Sequence, residues 1–171
     1  DALEVAVRVN LAKQYFWMAS YTRSRALSNG VVDYSLDEPV TVDNNYGHLG
    51  WDAPNRLVSW GYLPTPWQNW AVAYLLETRD GFPFSQVNDE GRVKGQVNSL
   101  RFPAYFELNL HLERQFVMNK NRWAFRFGFN NITNHNNYTA VNNNIDSPLY
   151  RFFYGSQGRS FNVRLRWLGK L

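Results

Sequence analysis

The chain has 171 residues, of which 44% are hydrophobic, 17% aromatic and 19% charged. This composition excludes a disordered chain, and the absence of any apolar run near 18 residues excludes a helical membrane protein. Because the sequence contains no cysteine, disulfide scaffolds, thiolate metal sites and cysteine nucleophiles are also excluded. The net charge of +4 comes from scattered basic residues rather than a basic block, so nucleic acid is not an expected partner.

Strict alternation of apolar and polar residues predicts β-strands along the chain, because it gives each strand one apolar and one polar face. The third strand is ambiguous, and we expect Val58, Trp60 and Tyr62 to define its apolar face. No segment predicts a helix. In chain order, the predicted strands cover residues 3–10, 15–25, 55–63, 70–77, 106–113, 123–130 and 160–167.

The connections between these strands alternate in length. Short turns are expected at 11–14, 64–67 and 117–121, whereas the long polar connections cover 26–50, 80–101 and 133–156. Short turns at one end and long loops at the other are typical of outer-membrane β-barrels, whose strands are about ten residues long. The pattern therefore predicts an all-β, antiparallel, up-and-down sheet in which each strand pairs with its sequence neighbours.

Two architectures fit this alternation: a transmembrane β-barrel and a soluble β-sandwich that binds carbohydrate. The barrel is favoured because six of the seven tryptophans lie towards the short-turn level and the polar faces carry many ionisable groups. The six are Trp17, Trp60, Trp67, Trp70, Trp123 and Trp167. In the barrel, the residues expected to face lipid include Leu108, Leu110, Leu112, Phe125, Phe127, Val163 and Leu165.

Five short motifs follow one another along the chain. They are Trp51-Asp-Ala-Pro-Asn-Arg56 with Tyr62-Leu-Pro64, Arg79-Asp-Gly-Phe-Pro-Phe-Ser85, Asn98-Ser-Leu-Arg-Phe-Pro-Ala-Tyr-Phe-Glu-Leu-Asn109, Phe129-Asn-Asn-Ile-Thr-Asn134 and Gly158-Arg159. In this order the motifs resemble those of TonB-dependent outer-membrane receptors. The resemblance covers nearly the whole chain.

This resemblance implies a barrel of about 22 strands in the bacterial cell outer membrane. Residues 1–171 are expected to be its C-terminal seven strands, with the plug domain and the earlier strands outside this chain. The implied function is energy-coupled uptake of a scarce nutrient such as a siderophore, a cobalamin or an oligosaccharide. The implied partners are the rest of the barrel and its plug, the TonB complex acting through that plug, and outer-membrane lipid and lipopolysaccharide.

Arg23 and Arg25 are expected to point outward at the height of the outer leaflet, where lipid phosphates are suitable partners for arginine. A solvated strand end is the alternative for this pair.

Aromatic residues in the long loops are the candidates for ligand binding, because they stack on sugar rings or catecholates, although packing within the loops is an equal alternative. The histidines fall on separate elements at 48, 111 and 135, so neither a metal site nor catalysis is expected, and no cofactor is expected. The eight asparagines between 130 and 144 are expected to serve turns. The ligand-binding candidates are Tyr46, Trp51, Tyr138, Tyr150, Phe153 and Tyr154.

The hairpin at 117–121 allows two registers that keep both apolar faces on one side. In the first, Phe116 lies opposite Trp123 and Glu113 opposite Arg126. In the second, Glu113 lies opposite Ala124. We favour the first, because it places opposite charges face to face on the polar side and stacks two aromatic rings.

Overall fold

A computed structural model describes residues 1–12, 14–29 and 46–170 of the chain, and within them every regular element is a β-strand. None of these three segments holds a helix long and apolar enough to span a membrane. The strands are β1 (Ala2–Ala12), β2 (Tyr15–Ser24), β3 (Leu27–Ser28), β4 (Gly47–His48), β5 (Asn55–Pro64), β6 (Trp70–Arg79), β7 (Pro83–Phe84), β8 (Leu100–Arg101), β9 (Tyr105–Met118), β10 (Asn121–Asn130), β11 (Ala140–Val141), β12 (Phe153–Tyr154) and β13 (Ser160–Lys170).

The seven long strands form one antiparallel sheet in the order β1-β2-β5-β6-β9-β10-β13. Each strand pairs with its sequence neighbours, which confirms the predicted all-β meander and its seven strands. The sheet is not closed into a barrel, and β1 and β13 are its two edges. Because the meander alternates direction, the three long connections emerge at one end, which we call the loop end.

We name these connections loop A (residues 25–54), loop B (80–104) and loop C (131–159). Each contains a two-stranded ribbon: β3 with β4, β7 with β8, and β11 with β12. The middle of the first predicted long loop, residues 30–45, lies outside the described residues, as does Lys13 in the first predicted turn. At the other end, Asn119 and Lys120 form a two-residue turn with φ of 51° and 60°, the left-handed conformation that tight hairpins require.

Cross-strand register divides the sheet into an apolar face and a polar face. All seven residues predicted to face lipid share the apolar face: Leu112 lies opposite Phe127, which lies opposite Val163, and Phe125 lies opposite Leu165. Val163 and Leu165 are 56% and 58% exposed, and none of the seven is buried. The aliphatic and Phe members of this face include Leu3, Val5, Val7, Val9, Leu57, Leu63, Val72, Leu76, Leu108, Leu110, Leu112, Phe125, Phe127, Val163 and Leu165.

The predicted facing of β5 is wrong. Val58, Trp60 and Tyr62 lie on the polar face, since Trp60 pairs with Leu75 and the Tyr62 hydroxyl donates to Glu113 Oε1 at 3.0 Å. Both sets of alternate residues in β5 contain apolar side chains, so its own pattern does not choose a face. The choice comes from pairing with β2 and β6, because a slip of one residue would invert the whole strand.

The sheet has almost no hydrophobic core of its own. Among described residues, its buried hydrophobic side chains are Ala71, Ala73 and Ala124, whereas Val93 and Val97 form a small buried cluster inside loop B. Across the described segments, no second sheet of more than two strands packs against it, so the layers of the alternative β-sandwich do not form there.

Candidate functional site

The loop end is organised around a buried carboxylate, that of Asp52 at the end of loop A. One oxygen accepts a hydrogen bond from the Ala26 amide at 2.6 Å, and the other contacts the Arg101 guanidinium and lies 3.0 Å from His48 Nδ1. Arg101 Nη1 also donates to the carbonyls of Asp52 at 2.7 Å and Gly81 at 3.1 Å. The ion pair of Asp52 with Arg101 therefore joins loop A to loop B.

The environment of Asp52 stabilises its charged form. Burial alone would raise the pKa of this carboxyl, but the Ala26 amide, the Arg101 guanidinium and His48 together outweigh burial and hold the pKa below its usual value of 3.8. Asp52 is consequently ionised at neutral pH and pairs with Arg101 as a full charge.

A second contact joins the start of β5 to the end of β6. The backbone and side-chain N–H groups of Asn55 donate to Asp80 Oδ2 at 2.9 and 2.7 Å. Next to this contact, a Cβ on Gly81 would lie 1.8 Å from the carbonyl oxygen of Phe102. Only glycine therefore allows these two segments of loop B to approach each other. The first three sequence motifs thus meet at one place, where strands become loops.

Asparagines continue this arrangement into loop C, as the sequence predicted. The Asn131 amide donates to Asn109 Oδ1 at 2.8 Å, and its side chain donates to the carbonyl of Gln157 at 3.2 Å. Asn134 Oδ1 accepts from the Arg159 amide at 2.9 Å. Asn131 and Asn134 both have positive φ, of 47° and 55°, which asparagine tolerates better than most residues. The fourth and fifth motifs are therefore also strand-to-loop junctions.

Loop B lies between the other two loops and contacts both. Asn98 Nδ2 donates to the His48 carbonyl in loop A at 2.7 Å. Towards loop C, the Ile145 amide donates to the carbonyl of Val87 at 2.8 Å, and the Tyr150 hydroxyl donates to Gln86 at 2.6 Å. The described parts of the loops form one packed platform.

The six aromatic ligand candidates are not gathered at one site. Phe153 packs 5.7 Å from Tyr138 and 5.5 Å from Phe102, within an aromatic cluster of the loops. Tyr150 is half-buried in its contact with Gln86. Tyr46, Trp51 and Tyr154 are exposed, with Trp51 at 68%.

One exposed candidate, Tyr154, has an aromatic partner that the sequence did not predict. Phe152 is 57% exposed and stacks nearly parallel to Tyr154, with 6.4 Å between ring centroids and an interplanar angle of 18°. The i, i+2 spacing of these two rings around β12 was the available signal, because alternate residues of an extended segment share a face.

The polar face bears an open cleft of about 840 Å³ lined by Phe16, Trp60, Leu75, Glu113 and Arg166, among others. Its walls are partly apolar and partly charged. The described residues contain no group of three or more histidine and acidic side chains placed to hold a metal ion.

The favoured register of the β9–β10 hairpin is confirmed, with Phe116 opposite Trp123 and Glu113 opposite Arg126. The expected ion pair is different, however. Glu113 is buried, and its Oε2 accepts from Arg166 on β13 at 2.8 Å rather than from Arg126. Arg166 lies opposite the buried Ala124, whose small side chain allows the guanidinium to cross β10 and reach β9.

Comparison of the chain with protein families, curated proteins and solved structures finds no match in any of the three. The geometry of the sheet and its loops therefore carries the functional assignment.

Proposed function

We propose that the chain forms part of the wall of a transmembrane β-barrel, in a TonB-dependent receptor of the bacterial outer membrane that takes up a scarce nutrient. The main support for this proposal is the seven-stranded meander. Its apolar face is covered by no described residue, and its opposite face is rich in ionisable groups. Membrane barrels have this distribution because their apolar side chains contact lipid while their lumen is polar.

The extent of the exposed apolar surface supports this proposal. Leu3, Val5 and Val7 on β1 are 65%, 55% and 47% exposed, and the same face continues across all seven strands to β13. Continuous apolar patches of this kind are unfavourable in water, and they mark surfaces that contact protein or membrane. A lipid environment satisfies the whole face at once.

Strand direction supports a larger barrel. In a meander of seven strands, β1 and β13 run in the same direction, so pairing them with each other would create a parallel contact in an otherwise antiparallel wall. Bacterial single-chain barrels are antiparallel and have an even number of strands. We therefore propose that other strands of the same barrel pair with both edges, in a wall of about 22 strands.

Aromatic residues at the turn end fit an interfacial girdle. Trp123 and Trp167 lie directly opposite each other on the apolar face, and Trp70 packs edge-on against Phe127 at 6.2 Å. Tryptophan is enriched at the levels where the hydrocarbon layer meets water. The partly apolar cleft on the polar face, with Phe16 and Trp60, supports a lumen that holds a protein plug as well as water.

In this proposal the loop end captures the ligand. Trp51, Phe152 and Tyr154 are among the exposed rings that a siderophore, a cobalamin or an oligosaccharide could contact. Hydrogen bonds of the buried Asp52 and Ser85 hold the platform beneath them. A rigid platform lowers the entropy lost when a ligand binds.

Two matched arginine substitutions in the middle of β1 test the proposal. Val7 lies on the apolar face and Ala6 on the polar face, and both are exposed on the same edge strand. In the outer membrane, Val7→Arg is expected to cost roughly 2–4 kcal/mol of barrel stability, whereas Ala6→Arg adds a charge to the lumen and costs little. The two variants and the wild type are recovered from the membrane fraction, and their unfolding temperatures are compared after solubilisation in detergent.

A protein recovered from the aqueous fraction without detergent would contradict the proposal. Equal unfolding temperatures for Val7→Arg and Ala6→Arg would do the same, because a solvated sheet treats the two faces alike. Either outcome would favour a soluble binding module.

A further inference from the structure

The register that places Glu113 opposite Arg126 leaves Arg126 without a carboxylate partner. Glu113 accepts hydrogen bonds from the Arg166 guanidinium at 2.8 Å and from the Tyr62 hydroxyl at 3.0 Å, so each of its two oxygens already has a donor. On its other side, Arg126 lies directly opposite Arg164. Within the described part of the chain, neither Arg126 nor Arg164 forms an ion pair.

Arg56 and Arg79 also lie directly opposite each other on the polar face, but those two arginines share a carboxylate. Glu77 contacts Arg56 at 3.0 Å and Arg79 at 3.9 Å, and Glu113 contacts Arg166. Like charges placed directly opposite each other across two strands repel and destabilise the pairing. Negative charge brought to Arg126 and Arg164 from outside the described residues would therefore relieve this repulsion.

The surroundings of the two arginines supply further polar groups and space. A cleft of about 340 Å³ is lined by Arg126 and Arg164 together with His111, Asn130 and Asn162. Gly128 lies between His111 on β9 and Asn162 on β13, and a Cβ there would lie 2.9 Å from His111 Cδ2. The missing side chain at Gly128 leaves room for the imidazole.

We propose that Arg126 and Arg164, with His111 and Asn162, form an anion-binding site on the polar face that accepts a carboxylate or phosphate group. Guanidinium groups bind such oxyanions through two parallel hydrogen bonds, and the imidazole and amide N–H groups are additional donors. The bound group belongs either to a solute or to a carboxylate side chain of a protein segment packed against this face. The site depends on the polar face alone and not on the surroundings of the apolar face.

The test measures thermal unfolding of the purified protein during titration with sodium phosphate, against sodium chloride at equal ionic strength. Arg126→Gln and Arg164→Gln are compared with the control Arg122→Gln. Arg122 is an exposed cation on the same face of β10 and does not line the cleft. The control removes the same charge from the same strand.

If the site binds a solute, phosphate raises the unfolding temperature of the wild type and of Arg122→Gln, and each site variant weakens phosphate binding by about tenfold or more. If a protein carboxylate occupies the site, phosphate has no effect on the wild type, and both site variants unfold at lower temperature than Arg122→Gln. The proposal is overturned if the site variants match Arg122→Gln in stability and in their response to phosphate.

Discussion

At the scale of single residues, side-chain amides at the loop end replace missing backbone partners. The Asn137 side chain accepts from the Phe106 amide at 3.0 Å and donates to the Phe106 carbonyl at 2.9 Å, as a neighbouring strand would. Where β9 extends beyond its pairing with β10, this arrangement satisfies polar groups that would otherwise need water. The residue types predicted turns, but which amide meets which backbone group depends on how loop C folds back over β9.

A side chain at Gly47 is expected to disturb the packing of loop A against loop B. A Cβ at this position would lie 2.3 Å from the carbonyl oxygen of the fully buried Val97, whereas a Cβ at Gly50 would meet nothing within 4 Å. Gly47→Ala is expected to destabilise the protein by about 1–3 kcal/mol, because loops A and B must separate to accommodate it. Gly50→Ala, in the same loop, should stay within about 0.5 kcal/mol of wild type in thermal unfolding. A neutral Gly47→Ala would show that the two loops are not closely packed.

We expect the stability of the protein to depend on the ionisation of Asp52 at acidic pH. Its folded-state pKa lies below 3.8, so its contribution to stability is complete above pH 3.8 and is lost as pH falls through the lower folded-state value. At neutral pH, Asp52→Asn should cost about 2–3 kcal/mol, because Arg101 and the Ala26 amide lose an ionised acceptor.

The difference between wild type and Asp52→Asn should shrink as pH falls below 3.8, measured by thermal unfolding. Glu90→Gln is the control, because Glu90 is an exposed carboxylate of loop B in a surface contact with Arg92. A difference that stays constant with pH would show that the charge of Asp52 does not hold the loops.

At the scale of strands, amphipathic alternation succeeded where only one face was apolar. For the β9–β10 hairpin, the pattern required Leu112 and Phe127 to share a face and left two registers, of which the structure has the favoured one with Phe116 opposite Trp123. For β5 the same reasoning failed, since both of its faces carry bulky apolar residues. Its orientation depends on β2 and β6, which pair with it on either side.

Glu113 is expected to be coupled more strongly to Arg166 than to Arg126. A double-mutant cycle of Glu113→Gln with Arg166→Gln should give a coupling of about 1 kcal/mol or more, because these groups are hydrogen-bonded and Glu113 is buried. The cycle of Glu113→Gln with Arg126→Gln should give less than about 0.5 kcal/mol, although the two residues are directly opposite. Denaturant unfolding provides both values, and the reverse order would assign the ion pair to Arg126.

At the scale of the whole molecule, no large apolar side chain in the described part of the sheet is buried, whereas loop B buries Val93 and Val97. A protein folding in water would place its bulky apolar residues in a core, so this distribution is typical of a sheet whose apolar face has a nonaqueous neighbour. Arg23 lies on this apolar face near the loop end, opposite Leu3, as the sequence predicted.

In the proposed membrane, Arg23 and Arg25 lie at the level of the outer leaflet. Both line a cleft of about 690 Å³ that also includes Leu3 and Arg101. Replacing both with alanine should weaken lipopolysaccharide binding roughly thirtyfold, at about 1 kcal/mol for each basic residue near an anionic surface. Arg8→Ala, on the polar face of β1, is the control in quantifying copurified lipopolysaccharide. Unchanged lipopolysaccharide in the double variant would leave the solvated strand end as the explanation.

The sequence alone determined the strand type, the number of long strands, their order and most of their facing, because period-two patterning and turn residues are local properties. Tertiary structure decided the orientation of β5, the choice of Arg166 over Arg126 as the partner of Glu113, and the meeting of the motifs around Asp52 and Arg101. These features depend on which strands and loops are neighbours in space. Side chains that are distant in sequence compete there for the same buried partners, and no local pattern records the outcome.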